Sequence, residues 1–132
     1  SSRRQTINLS PPPSPNVTEP SIFHKLEQVY LIAHKRVQRF PKIDRYTLGI
    51  NIENKILEIL ELAIHSISKT GVSRLLMIQK IDTELKIARI LVRTAYKAKS
   101  LPQSGYIELS EKFTEIGSMV GGWIKETKAR NK

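Results

Sequence analysis

The 132-residue chain has no cysteine. That excludes a disulfide scaffold, a thiolate metal site and a cysteine nucleophile, and it fits a reducing compartment, so a cytoplasmic protein is expected. No run of 18 apolar residues occurs, which excludes a membrane-spanning helix. No N-terminal stretch has the apolar centre of a secretory signal. Aromatic residues are few, at three Phe, four Tyr and one Trp. Phe23, Phe40 and Phe113 read as core, which leaves little for stacking on nucleic-acid bases. Acid is scarce as well: 12 Asp and Glu stand against 22 Lys and Arg, for a net charge of +10. Such an excess predicts attraction to polyanions, meaning nucleic acid or an acidic membrane surface.

Signals for catalysis are also missing. His24, His34 and His65 share no ligand spacing. Di-metal sites in helical bundles need Glu-x-x-His pairs on facing helices. The nearest match, Glu61 and His65, is a lone pair four residues apart on the polar side of a predicted helix. No glycine-rich phosphate loop follows a strand, because no stretch has a strand's alternation, and no Ser, His and Asp set can be argued from spacing. The expectation is a protein that is not an enzyme, with no metal and no cofactor.

What the chain does have is helical periodicity. Residues 1–20 come first and carry Pro11, Pro12, Pro13, Pro15 and Pro20. They read as an extended polyproline leader, either solvated or docked on a neighbouring subunit or partner. A first helix is predicted from Ser21 to about Arg39 on Ile22, Leu26, Val29, Ala33, Val37 and Phe40, with Pro41 ending it. A second runs from about Thr47, as N-cap, to Lys69 on Ile52, Ile56, Ile59, Leu60, Ala63 and Ile67. Asn54, Glu58, Glu61 and His65 give it a wet, slightly acidic back. Gly71 breaks the chain, and a third helix runs from about Ser73 to Lys99.

Ser100-Leu-Pro-Gln103 has the form of a capping box with proline in the first turn, and it opens a fourth helix ending near Lys128. Short connections between long helices predict antiparallel neighbours. The expected fold is all-α, an up-down-up-down antiparallel four-helix bundle over residues 21–128, with a basic C-terminal tail at 129–132.

Two helices carry unusual features. The third has a core stripe of Ile78, Ile81, Leu85, Ala88, Val92 and Ala95, and a second apolar patch of Leu76, Ile87, Ile90, Leu91 and Ala98. A helix buried only in its own bundle needs one apolar face, so the second patch is an expected subunit interface. In the fourth, Phe113, Ile116, Val120, Trp123 and Ile124 form a stripe interrupted by Gly117, Gly121 and Gly122. Each interior glycine costs about 1 kcal/mol relative to alanine. The expected return is close approach, as a packing seam inside the bundle; a sharper reading has the seam also help define a subunit interface.

The positive excess belongs to the first and third helices. Lys35, Arg36, Arg39, Lys42 and Arg45 cluster where the first ends, and Lys86, Arg89, Arg93 and Lys97 lie between the two apolar faces of the third. On one surface such side chains neutralise phosphates with little regard for sequence, and backbone contact is expected over base stacking. A structural reading stands beside this one. Cations near a helix C-terminus complement its dipole, and Arg89 and Arg93 could pair with Glu115 or with carboxylates of the second helix.

Three stretches carry a resemblance. They are Phe40-Pro41-x-x-x-Arg45-Tyr46-Thr47-Leu48-Gly49, Leu85-x-x-Ala88-Arg89-Ile90-Leu91-Val92-Arg93, and Glu115-Ile-Gly-Ser-Met-Val-Gly-Gly-Trp-Ile124. Over residues 21–128 the chain resembles the four-helix-bundle family that includes the accessory variability determinant proteins of diversity-generating retroelements. The same family includes proteins encoded in intervening sequences of large-subunit ribosomal RNA genes. The resemblance implies a small basic bundle without catalytic residues that assembles as a homopentameric barrel. In the retroelement branch it implies binding to the reverse transcriptase and to RNA or cDNA, in support of mutagenic copying. In the ribosomal-RNA branch it implies a structural or oligomerisation module. The strong positive charge favours the former.

Overall fold

A computed structural model describes residues 21–131. The proline-rich leader, its expected docking and the last residue of the basic tail lie outside these residues. Four long helices carry the fold: α1 (Ser21–Val37), α2 (Ile50–Ile67), α3 (Gly71–Lys97) and α4 (Gln103–Arg130). No strand occurs among the described residues. α1 packs on α2 and α4, and α3 packs on α2 and α4. Sequential helices joined by short turns therefore close an antiparallel four-helix bundle. α4 runs to Arg130, so the expected tail starts later than 129.

The core is the set of periodic residues. Ile22, Leu26, Val29, Ala33 and Val37 from α1 meet Ile52, Ile56, Ile59 and Ala63 from α2, all buried. The six stripe residues of α3 and Leu109, Phe113, Ile116 and Val120 of α4 complete it. Side chains three and four apart share a helix face, and in each helix that face is turned to the bundle axis. Trp123 and Ile124 are only partly buried against the core. Ile67, expected inside, is 39% exposed at the end of α2.

The entries to α2 and α4 differ from expectation. The chain turns helical at once after Pro41, through a short turn (Lys42–Asp44) and a π-helical turn (Arg45–Gly49), and only then enters α2. Thr47 sits inside that turn, where its hydroxyl donates to the Ile43 carbonyl at 2.9 Å, so it is not an N-cap. The wider turn comes with close packing. A Cβ on Gly49 would lie 2.5 Å from Val37 Cγ1 and 3.3 Å from the Asp44 carbonyl oxygen.

The capping box at Ser100 does not form either. α4 begins at Gln103 without a side-chain cap, and the Ser100 hydroxyl donates instead to Asp44 Oδ2 at 2.5 Å. That bond ties the α3–α4 turn to the α1–α2 junction and fixes both at one end of the bundle.

Gly117, Gly121 and Gly122 do not form the expected seam within the bundle. Cβ atoms on Gly121 and Gly122 would meet nothing within 4 Å, and one on Gly117 would meet only Leu85 Cδ2, at an ordinary 3.6 Å. Close approach in this fold occurs at Gly49, and at Gly105, where a Cβ would lie 2.7 Å from Leu101 Cδ1 and 3.1 Å from Arg36 Nε.

One ion-pair network ties α2 to α3. Lys55 Nζ reaches Glu58 at 3.0 Å and Glu84 at 2.5 Å. Hydrogen bonds to Glu84 and then Glu58 hold the lysine's pKa above its ordinary value, against the opposing effect of burial. A raised lysine pKa stabilises the fold at every pH below the unfolded value. That contribution is complete at neutral pH and fades as pH climbs through the raised value. Lys55→Met is expected to cost about 1 kcal/mol at neutral pH, read as a lower urea midpoint. The gap from wild type should close in strongly alkaline buffer.

Candidate nucleic-acid interface

The α1–α2 junction and the α3–α4 turn meet at one end of the bundle, so two basic segments far apart in sequence become neighbours. Lys35 and Arg36 come from the last turn of α1, Arg39, Lys42 and Arg45 from the junction, and Arg93 and Lys97 from the last turns of α3. The first turns of α4 lie between two shallow grooves. One is lined by Ile32, Lys35, Arg36, Arg39 and Glu108, the other by Lys86, Arg89, Ile90, Arg93, Tyr106 and Ser110.

The acids at this end are engaged. Asp44 accepts from Ser100. Glu53 Oε1 accepts from the Tyr30 hydroxyl at 3.2 Å and lies 3.1 Å from His34 Nδ1. Burial first, and the Glu53 carboxylate second, push the Tyr30 phenol above its ordinary pKa. Glu108 pairs with Arg36 Nη2 at 3.2 Å, and Gly105 gives the Arg36 side chain room against the start of α4.

The nine cations expected to bind phosphate therefore divide. Arg36 is paired with Glu108. Arg45 Nη2 donates to the Phe40 carbonyl at 3.3 Å, and its guanidinium lies 5.9 Å from the Tyr46 ring centroid. Its Nε is buried without a partner among the described residues. Lys86 stands 3.5 Å from Asp82, one turn back on the same helix. Arg89 pairs with neither Glu115 nor a carboxylate of α2, and its Nη2 donates to Thr114 Oγ1 at 3.2 Å. Glu115 pairs instead with Lys25, at 2.9 Å, which holds the carboxyl below its ordinary pKa. Among the described residues, Lys35, Arg39, Lys42, Arg93 and Lys97 form no ion pair. All five are exposed, free to meet a polyanion.

The sequence reading passed over one residue at this end. Lys99 has φ +68°. The Ser100 amide donates to the Ala95 carbonyl and the Lys99 amide to that of Tyr96, each at 3.0 Å. This is the Schellman closure of a helix, and Lys99 holds the left-handed position that glycine normally takes. A side chain there costs roughly 1–2 kcal/mol. The Lys99 side chain is exposed and adds a further cation to the basic end.

The apolar residues expected at an interface are not equivalent. On α3, Leu76, Ile87 and Ile90 are exposed, as is Val72. Leu91 is half-buried and packed on the core, and Ala98 is the exposed C-cap of the helix. The sequence reading missed a second outward face. Ile50, Leu57 and Ile64 recur every seven residues along α2, exposed at 41, 42 and 52%, and Leu31 of α1 is exposed at 59%. The heptad spacing was the available signal, hidden by the acids of the same helix.

Glu61 and His65 are both exposed on α2. Among the described residues no three His, Asp or Glu converge as a metal site would require, and no helix is long and apolar enough to cross a membrane.

Fold and surface together define a helical-bundle protein with one cationic end and outward apolar faces. The chain belongs to the bAvd-like family, which it matches over residues 21–127. Comparison with curated proteins gives no match.

Proposed function

We propose that this chain is a non-enzymatic accessory protein of a diversity-generating retroelement. In this reading it holds the reverse transcriptase and its template RNA or cDNA together during mutagenic copying, in the cytoplasm. The observation that carries the reading is the convergence of unpaired cations at one end of the bundle, where Asp44, Glu53 and Glu108 are already engaged. Membership of the bAvd-like family supports the accessory role.

The proposed assembly is a homopentamer. Its support is the presence of two unlike outward apolar faces, on α3 and on α2 with Leu31. A two-fold contact needs one self-complementary face, whereas a head-to-tail ring needs two different ones. The number five comes from the family resemblance. Native mass measurement is expected to give a pentamer that takes up reverse transcriptase and RNA. Ile90→Lys should dissociate it while leaving helix content intact. A wild-type monomer would overturn the proposed assembly.

The same apolar faces favour a second reading, a structural or oligomerisation module of the ribosomal RNA intervening-sequence kind. A stable assembly that ignores RNA and reverse transcriptase would select it.

A further inference from the structure

The chain has four tyrosines, and the fold brings three of them, Tyr46, Tyr96 and Tyr106, to the basic end. Tyr46 is 60% exposed and lies beside the Arg45 guanidinium. Tyr96, in the last turn of α3, stacks on Tyr106, in the first turn of α4, with ring centroids 4.6 Å apart and planes 8° from parallel. Tyr106 lines the groove that holds Lys86, Arg89 and Arg93, and no acidic side chain lines that groove. Packing accounts for Tyr106, which rests on the core. It does not account for Tyr46, and it covers one face of the Tyr96 ring while leaving that residue 37% exposed.

Flat aromatic rings at an end that also carries exposed, unpaired cations match the two halves of a nucleotide. The phosphate takes the cation, and an unstacked base takes the ring face. A duplex buries its base faces and offers phosphates alone, so the tyrosines would be idle against it. An acidic protein segment would satisfy the cations and leave the ring faces without a flat partner.

Resting on the reading that this end binds nucleic acid, we propose that it binds single-stranded nucleic acid. The bases stack on Tyr46 and on the Tyr96–Tyr106 pair, and Lys35, Arg39, Arg93 and Lys97 hold the backbone.

The test uses the full chain with four labelled probes of equal length: oligo(dT), oligo(U), an abasic strand and a duplex. Base stacking on an aromatic ring predicts that oligo(dT) and oligo(U) bind about fivefold or more tightly than the abasic strand. An advantage confined to one of them supports the proposal and identifies the sugar preferred. Tyr46→Ala and Tyr96→Leu should shrink that advantage, and Tyr46→Phe and Tyr96→Phe should keep it. Tyr46 is exposed, so Tyr46→Ala decides the matter if Tyr96→Leu disturbs the turn. Equal binding of base-bearing and abasic strands, or preference for the duplex, overturns the stacking proposal and leaves polyanion binding standing. No binding to any probe removes the nucleic-acid reading itself.

Discussion

Changing Lys35, Arg39, Arg93 and Lys97 together to Glu is expected to weaken RNA binding on the order of a hundredfold at low salt. The slope of log affinity against log salt should flatten by roughly three, since each lost phosphate contact removes a little less than one from it. These four are chosen because they are exposed and form no ion pair among the described residues. Arg36 is a poorer target, because a Glu at that position would face Glu108 and disturb packing and charge at once. The matched control changes Lys69, Lys80, Lys125 and Lys128 to Glu. These are also exposed and lie away from the basic end, and the change in net charge is the same. Filter binding across a salt series on both variants separates position from charge. Equal losses would mean that net charge alone attracts the RNA and that the clustered end has no special role.

The second large effect concerns two glycines that the sequence alone ranks in the wrong order. Gly49→Ala places a methyl 2.5 Å from Val37 Cγ1, against the branched side chain of a buried residue. Overpacking of this kind costs about 1–3 kcal/mol. It should appear as a clear fall in Tm, by several degrees per kcal/mol for a domain of this size. Gly121→Ala, by contrast, meets open space and should stabilise α4 by about 0.5–1 kcal/mol. Thermal melts of the two variants, recorded at a low concentration and again at a high one, check both expectations. If Gly121→Ala loses stability only where the chain associates, Gly121 faces another copy.

The four helices and nearly all of the core were legible in the sequence because periodicity is a local property. Ile78, Ile81, Leu85, Ala88, Val92 and Ala95 mark one face whatever packs against it. The helix entries were harder to read because they depend on tertiary partners. Ser100 has the right neighbours for a cap, yet Asp44, distant in sequence, takes its hydroxyl. Thr47 looks like a cap until the π-helical turn draws it into a helix that has already begun. Gly117, Gly121 and Gly122 misled because cost was read as evidence of contact, whereas the tight sites, Gly49 and Gly105, sit one at a junction and one in the first turn of α4.

For the candidate site, both basic clusters were visible along the chain. That they share one end depends on how the helices are arranged, and which cations are already paired depends on individual rotamers. The tyrosines were passed over because Tyr96 and Tyr106 belong to different helices and become a stacked pair only through the turn between them.

The placement of the cations also makes the molecule directional. Rotation about a single axis never turns a subunit over. In the proposed ring, every bundle whose axis leans along the symmetry axis would therefore point its basic end to the same rim. The assembly would then have a strongly basic front and a less basic back. A polyanion would be drawn more strongly to one rim than to the other.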